Sequence, residues 1–248
     1  MPFRRVLLDP PRCGAWNMAV DEVLLGQAAL GGGQLRVYRW SEPTLSLGYF
    51  QNVADRQSHA ASLSCRLVRR PSGGGAILHD REITYSLALP WPGEFSRGPV
   101  EQRRLVRRIH GALLDLLAQS GVAATLCPTA ETIIGPLPFM CFRRRAEGDV
   151  LIGQAKVVGS AQRRVKGALL QHGSILLEAS PAAPELRGIR NLSGVSLPPE
   201  EWQTLVSRAL LSELGWQGEV QPLTEQEQQA AARLVEEKLG RPEWTQRR

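Results

Sequence analysis

Runs with the spacing of helices alternate with shorter β-prone runs along this sequence, which predicts an α+β fold. Helices are predicted over residues 16–30 and 99–119, where apolar residues recur at helical spacing, over 198–214, which opens on prolines, and over 224–239, where Thr224 and Glu227 have capping-box spacing. Runs rich in β-formers lie between these segments, at 34–40, 44–50, 65–70, 82–89 and 122–127. No repeat or composition break divides the 248 residues. A single domain over 1–248 is therefore expected, with the helices after residue 198 as its C-terminal extension.

Local signals add detail to two of these regions. Only three residues separate the runs 34–40 and 44–50, so the two runs are predicted to pair as a hairpin. Asn17 and Asp21 lie one turn apart on the first helix. That spacing places both polar side chains on one face, which is typical of a solvated helix edge.

Composition excludes several classes of protein. Hydrophobic residues make up 43% of the chain and charged residues 22%, as in ordinary soluble globular proteins. No apolar run approaches the roughly 20 residues of a membrane span, and the N-terminus lacks a signal-peptide pattern. A cytoplasmic protein without membrane contact is therefore expected. The cysteines, at 13, 65, 127 and 141, show no Cys-x-x-Cys spacing, so no metal site or disulfide framework is predicted.

The net charge of +6 is compatible with an anionic partner, either a nucleic acid or an acidic protein. No helix-turn-helix, zinc-finger or aromatic RNA-binding pattern is present, and aromatic residues are only 6% of the chain, so nucleic acid is not expected. Arginines 103, 104, 107 and 108 share much of one face of the predicted helix 99–119. They form either a solvated face or a dock for an acidic protein.

A glycine-rich segment, 71–75 (PSGGG), follows Arg69 and Arg70. It lacks the Gly-Lys-Ser/Thr ending of a phosphate loop, and a strand rather than a helix is predicted after it, so neither a Walker loop nor a dinucleotide fingerprint is indicated. Glycine permits positive φ and close approach of the backbone to a ligand. The segment is either a substrate-binding loop or a simple tight turn.

One cysteine and one lysine indicate the type of reaction that the protein could catalyse. Lysine occurs only at 156, 166 and 238, and Lys156 lies inside the apolar run 150–158. Unlike arginine, lysine is a compact single-point donor that can be desolvated beside a reacting group. Cys141 precedes the arginines 143–145, and nearby cations lower the pKa of a thiol. A thiol nucleophile and a lysine donor near a glycine-rich chain reversal predict acyl transfer.

Together, these motifs resemble the lipoate–protein ligase A / octanoyltransferase family. They occur in family order over most of the chain and are specific as a set. The matching stretches are 17–21 (NMAVD), 43–48 (PTLSLG), 69–76 (RRPSGGGA), 79–80 (HD), 85–86 (YS), 156–164 (KVVGSAQRR) and 170–176 (LQHGSIL).

The resemblance implies a mixed β-sheet core flanked by helices, as in the catalytic domains of biotin and lipoate protein ligases, with an acyl tunnel beside the glycine-rich loop. It implies that Lys156 donates to the acyl carbonyl. It also implies that Cys141 is the catalytic cysteine, placed as in octanoyltransferases of the Gram-positive type. The Pro-Cys-Gly context of the other octanoyltransferase branch is absent. The substrate-binding residues implied are Arg69, Arg70, Ser72, Gly73, Gly74, Gly75, His79, Gly159, Ser160, Ala161, His172 and Gly173.

The implied reaction transfers an octanoyl group from octanoyl-acyl carrier protein, through a Cys141 thioester, to the lysine of a lipoyl carrier protein. That carrier would be the glycine cleavage H protein or a lipoyl domain of a 2-oxoacid dehydrogenase. Both carriers are acidic in such systems, and no cofactor is expected. His79 or His172 could accept the proton of the attacking amine, or both could be structural. Two alternatives stay open: a lipoate–protein ligase that uses ATP and Mg²⁺ to form lipoyl-adenylate, and a non-catalytic carrier-binding protein.

Overall fold

The computed structural model describes residues 4–91 and 99–248, and within them strands form two sheets. Most strands are short runs in which leucine, valine or isoleucine is buried. The ten strands are β1 Arg4–Leu8, β2 Gly33–Tyr38, β3 Thr44–Leu47, β4 Arg66–Arg69, β5 Ile77–His79, β6 Glu82–Pro90, β7 Thr125–Leu126, β8 Val150–Ile152, β9 Ala155–Val165 and β10 Ala168–Leu176.

The larger sheet is mixed and has seven strands in the order β1-β2-β6-β10-β9-β8-β7. β1 and β2 are parallel, and every other pair in this sheet is antiparallel. The central strand β10 is buried along its whole length, including the polar side chains of Gln171, His172 and Ser174 in its middle.

Helices cover both faces of the larger sheet. α2 and α4 pack with the apolar residues of β2 and β6 on one face, and α1 and α5 pack on the other. The part of the chain that the structure describes has six α-helices: α1 Gly14–Ala28, α2 Pro99–Gln119, α3 Ile189–Ser193, α4 Pro199–Leu214, α5 Glu225–Leu234 and α6 Pro242–Thr245. Each of the longer helices buries an apolar stripe, and this burial is the main source of their stability in the fold. None of the helices described is long and apolar enough to cross a membrane.

A smaller sheet of three strands, in the order β4-β3-β5, places the glycine-rich loop. β3 pairs in parallel with β4 and in antiparallel with β5, so residues 70–76 must turn the chain from one edge of this sheet to the other. An isolated bridge between Ala76 and Met140 then joins the end of the loop to the segment that carries Cys141.

The predicted hairpin between residues 34–40 and 44–50 is wrong. β2 pairs with β1 and β6 in the larger sheet, whereas β3 belongs to the smaller sheet. Both strands pair with strands other than each other, some of them distant in sequence, and a local sequence pattern does not indicate such pairings. Two short 3-10 turns, Val53–Ser58 and Ala60–Ser62, lie between β3 and β4.

The prediction of a solvated edge at Asn17 and Asp21 is also wrong, because both side chains are fully buried. Arg36 on β2 accounts for this. Its guanidinium donates to Oδ1 of Asn17 at 2.8 Å and to Oδ1 of Asp21 at 3.0 Å, so the polar face of α1 packs onto a buried cation. Buried polar groups of this kind are tolerated when their hydrogen bonds are made inside the protein.

Candidate active site

Cys141 begins a short 3-10 turn that is hydrogen-bonded to the C-terminal end of the glycine-rich loop. Its N–H donates to the carbonyl of Ala76 at 2.7 Å, and the N–H of Ala76 donates to the carbonyl of Phe139 at 2.9 Å. A Cβ added to Gly75 would lie 2.9 Å from the oxygen of Phe139 and 3.1 Å from the nitrogen of Cys141. The two segments therefore meet this closely because residue 75 is glycine.

Lys156 lies opposite the thiol, on β9. Its Nζ is 4.0 Å from Sγ of Cys141 and 2.8 Å from Oδ2 of Asp149, which directly precedes β8. The antiparallel pairing of β8 with β9 brings the carboxylate to the lysine. A Cβ on Gly159 would fall 2.2 Å from Cε of Lys156, so glycine at 159 leaves room for the lysine stem. We call Cys141, Lys156 and Asp149 the thiol chain.

Charges around Cys141 favour its thiolate. Burial raises the pKa of the Cys141 thiol, but the positive charges of Lys156, Arg70 and Arg144 outweigh burial and the opposing Asp149 carboxylate, so the pKa is lowered. The thiolate is the nucleophilic form of cysteine. The site therefore supplies a reactive sulfur and, 4.0 Å away, a cationic donor for an oxygen that becomes negative.

The two arginines before the glycine-rich loop bind the protein's own backbone. Arg70 is buried, and its Nη2 donates to the carbonyls of Gly73 and Gly75 at 2.8 and 2.6 Å. Burial lowers the pKa of Arg70 to about 10, which leaves it charged at neutral pH. Arg69 donates to carbonyls within residues 48–51. Arg70 thus shapes the loop and adds charge near Cys141, while Arg69 braces a neighbouring turn.

A cavity of about 460 Å³ opens beside the thiol chain. This volume lies in the range of small-molecule sites, and apolar side chains such as Ile77, Ile133 and Phe142 form part of its wall. Eight residues predicted from the sequence line it: Arg70, Gly73, Gly74, Cys141, Lys156, Gly159, Ser160 and Ala161.

Other predicted site residues lie outside the lining of this cavity, namely Arg69, Ser72, Gly75, His79, His172 and Gly173. Gly173 instead packs under Tyr85, whose ring would be 2.6 Å from an added Cβ. A larger hollow of about 650 Å³, walled in part by Trp40 and Trp202, contains neither Cys141 nor Lys156. The smaller cavity, which contains both residues, is therefore the candidate active site.

A second buried chain of hydrogen bonds runs from α1 to the glycine-rich loop. Nε2 of His172 lies 2.5 Å from Oγ of Ser72, and its Nδ1 lies 3.2 Å from Oδ2 of Asp21. Burial raises the pKa of Asp21, but the hydrogen bond from His172 and the charge of Arg36 outweigh it and lower the pKa. An ionised Asp21 accepts a hydrogen bond from Nδ1–H of His172, and in the neutral ring Nε2 accepts a hydrogen bond from the Ser72 hydroxyl. We call Ser72, His172 and Asp21 the histidine chain.

His79 is held in a separate buried network. Its Nδ1 lies 2.8 Å from Oε1 of Glu82, its Nε2 lies 2.8 Å from Oγ of Ser46, and its ring stacks on Trp40 with centroids 3.8 Å apart. Burial lowers the pKa of His79 despite the adjacent Glu82 carboxylate. Both ring nitrogens of His79, like those of His172, already have partners within the protein.

Sequence reasoning found Cys141 and Lys156 but missed Asp149 and the partnership of Asp21 with His172. A charged residue just before the β-prone run 150–152, opposite a buried lysine, was the available signal for Asp149. For Asp21, the signal was Arg36 within an otherwise apolar strand, because a buried arginine requires a carboxylate.

Comparison with known proteins gives a consistent picture. A family model described as the lipoyl protein ligase A/B catalytic domain matches residues 14–194. The octanoyltransferase LipM of Kyrpidia tusciae is 34% identical over an alignment of 276 residues that covers 98% of both chains. The octanoyltransferase LipM of Bacillus subtilis is 36% identical over 173 residues, which cover 66% of this chain and 62% of that protein.

Two solved structures share the architecture. A lipoate-protein ligase A bound with ATP superposes with a TM-score of 0.76 at 20% identity, covering 98% of each chain. A bi-partite lipoate protein ligase from Thermoplasma acidophilum, solved in a study of that ligase and its E2 lipoyl domain, gives a TM-score of 0.76 at 21% identity over 99% of this chain and 97% of that one. At these identities the likeness concerns the fold, and it confirms the predicted mixed sheet flanked by helices.

Proposed function

Because the chain belongs to the lipoyl protein ligase A/B catalytic-domain family, we propose that it is an octanoyltransferase of lipoate biosynthesis that acts through an acyl-enzyme on Cys141. The relatives named octanoyltransferase support octanoyl as the acyl group. The observation that carries the mechanism is the cavity-lining thiol 4.0 Å from Lys156. The proposed donor is octanoyl-acyl carrier protein, and the proposed acceptor is a lysine of a lipoyl carrier protein such as the glycine cleavage H protein.

In the first half-reaction the Cys141 thiolate attacks the carbonyl carbon of the donor thioester. A new C–S bond forms to Cys141, the carbonyl oxygen becomes an oxyanion, and collapse of the intermediate expels the carrier's thiolate. Nζ of Lys156 keeps one hydrogen bond to Asp149 and turns its other N–H groups toward the cavity, where they stabilise the oxyanion. The product is an octanoyl thioester on Cys141, with the octanoyl chain against the apolar wall.

In the second half-reaction the ε-amine of the acceptor lysine attacks the same carbonyl carbon. An amide C–N bond forms, the bond to Cys141 breaks, and the amine loses one proton overall while Cys141 regains its free thiol or thiolate. Lys156 again faces the oxyanion. Neither His79 nor His172 lines the cavity, so the position of these rings does not support either as the acceptor of that proton.

The arginines bear on the alternative of an ATP-dependent ligase. In that alternative, Arg69 and Arg70 would bind carboxylate and phosphate groups. Here Arg69 is engaged by carbonyls of residues 48–51, and Arg70 by the carbonyls of its own loop. A thioester donor is already activated and requires no adenylation, which favours transfer over ligation.

The test is intact-mass spectrometry after mixing the protein with octanoyl-acyl carrier protein in the absence of ATP and Mg²⁺. We expect one octanoyl adduct that hydroxylamine removes, its loss in Cys141→Ser, and its retention in the matched variant Cys65→Ser, which alters a partly buried thiol outside the cavity. Transfer to a lipoyl domain should follow. An adduct on another cysteine, or ATP-dependent lipoylation that survives Cys141→Ser, would contradict the proposal.

A further inference from the structure

The segment after α5 packs against the end of β4, just before the glycine-rich loop, and is held there by hydrogen bonds. Nε1 of Trp244 donates to the carbonyl of Arg69 at 2.9 Å, and Nε of Arg69 donates to the carbonyl of Thr245 at 3.0 Å. The N–H of Val53 donates to the carbonyl of Arg248 at 2.9 Å. The end of the described chain is therefore held in a defined place beside the loop.

Arginines and aromatic rings alternate on this surface. The guanidinium of Arg247 lies 4.2 Å from the ring centroid of Tyr49, and that of Arg163 lies 5.3 Å from the same ring. The guanidinium of Arg248 lies 5.3 Å from the ring of Phe50, which is 68% exposed. We call Tyr49, Phe50, Arg163, Arg247 and Arg248 the tail patch. Stacking on aromatic rings limits the motion of the guanidinium groups, so their charges are positioned in advance.

The tail patch contacts the glycine-rich loop, part of which lines the cavity. Nη1 of Arg163 donates to the carbonyl of Pro71 at 3.2 Å, and a Cβ added to Gly73 would lie 3.9 Å from Cδ2 of Phe50. Gly73 itself lines the cavity that contains Cys141. The same loop therefore lines the cavity of the thiol and contacts the tail patch.

The arginines of α2, the other candidate dock, are mostly neutralised within the protein. Arg104 pairs with Glu101, and Arg107 and Arg108 pair with Glu147 and Glu213, all within 3.2 Å. By contrast, across residues 4–91 and 99–248 no carboxylate lies in an ion pair with the three arginines of the tail patch. Their positive charge is therefore available to an external anion.

We propose that the tail patch is the docking surface for the acidic protein that carries the octanoyl thioester. This inference rests on the proposed function. An acyl carrier is acidic and holds its acyl arm through an anionic phosphodiester, a group that arginine forks bind well. The acceptor carrier is acidic as well, but it has no phosphodiester beside its reacting group, and its target lysine is cationic until it loses its proton. Exposed aromatic rings beside arginines are also typical of protein interfaces.

The experiment compares two thioester donors with one pair of substitutions. Acylation of Cys141 is followed by mass spectrometry with octanoyl-acyl carrier protein and with octanoyl-N-acetylcysteamine, which has no carrier. For Arg247→Glu/Arg248→Glu we expect kcat/KM to fall roughly tenfold or more with the carrier and to stay within about twofold with the small donor. Rising salt should lower the wild-type rate with the carrier and have less effect on the variant.

A control for charge, with one reversal in place of two, is Arg208→Glu on the exposed side of α4, a helix that packs against α2 and the larger sheet. It changes the net charge in the same direction and should leave both donors unaffected. Arg247→Gln/Arg248→Gln removes the charges without reversing them and should give a smaller loss with the carrier alone.

Four outcomes would overturn the docking surface. These are an unchanged rate with the carrier, an equal loss with both donors, an equal loss in Arg208→Glu, and a defect confined to transfer from pre-acylated enzyme to the lipoyl domain. The last would assign the patch to the acceptor. Failure of the proposed function itself looks different, because then the wild-type protein would accept octanoyl from neither donor, and the docking surface would fall with it.

Discussion

The histidine chain is buried and the thiol chain largely so, and both end on a carboxylate, yet only the thiol chain opens into a cavity. In the thiol chain, sulfur and lysine nitrogen are 4.0 Å apart, which leaves space for a reacting carbonyl. In the histidine chain, the Ser72 hydroxyl is 2.5 Å from the imidazole and is 1% exposed. A serine that is hydrogen-bonded through a histidine to an aspartate cannot act as a nucleophile if no substrate can reach its hydroxyl.

The carboxylates of the two chains also differ in how they are held. Asp21 accepts hydrogen bonds from Arg36, Tyr38 and the histidine ring, whereas Asp149 accepts from Lys156 and the N–H of Ala146. A fully partnered interior charge holds its neighbours in one arrangement. We infer that the histidine chain anchors the glycine-rich loop to α1, while the thiol chain carries out the chemistry.

The largest effect is expected from Asp21→Asn, which would leave Arg36 with one carboxylate fewer in a fully buried place. The loss in free energy of unfolding should be about 3–5 kcal/mol. The pKa of Asp21 is lowered in the folded state, so its contribution is present above the unfolded pKa and is lost as pH falls through the folded value. Urea denaturation of the wild type and the variant should therefore differ most at neutral pH and converge on acidification.

Asp149→Asn is the matched comparison, because it changes the other carboxylate in the same way. Lys156 lies at the wall of a cavity, where water can compensate for the lost partner, so this variant should lose less stability and more activity than Asp21→Asn. Equal losses of stability in both variants, with equal remaining activity, would contradict the division of roles between the chains.

Lys156→Arg should lower the rate of Cys141 acylation by roughly 100-fold or more, nearly as much as Lys156→Ala. A planar guanidinium does not fit a position built for a single-point donor, because the lysine stem already passes within contact of Gly159. Single-turnover acylation with the small thioester donor measures the effect, and thermal unfolding checks that both variants fold. Activity of Lys156→Arg near the wild-type level would show that only a positive charge is required there.

Patterns within one element were predicted well from the sequence. The helix at 99–119 is confirmed as α2 with the same bounds, because its apolar stripe alone determines which face is buried. The motifs of the family resemblance also named residues that lie near one another, since eight of them line one cavity.

What the sequence did not reveal depends on partners distant along the chain. β3 follows β2 in the sequence but belongs to the other sheet. Asp21 is buried because Arg36, on another element, pairs with it. Asp149 joined the thiol chain only through the pairing of β8 with β9. These contacts reflect the register and packing of whole elements, whose free energy is spread over many residues and leaves no short motif.

Arg144→Gln is expected to have the smallest effect. This variant tests the electrostatics of the thiol chain separately from its other properties. Burial raises the pKa of Cys141, and the charges of Lys156, Arg70 and Arg144 lower it below the ordinary value. Removing the Arg144 charge should raise that pKa, so the pH midpoint for alkylation of Cys141 by iodoacetamide should move upward, and the rate below the midpoint should fall. The matched control is Arg143→Gln, which removes an exposed charge of the same turn that does not line the cavity and should leave the midpoint nearly in place. The same upward movement in both variants would mean that the general positive surface, rather than the position of Arg144 at the cavity, favours the thiolate.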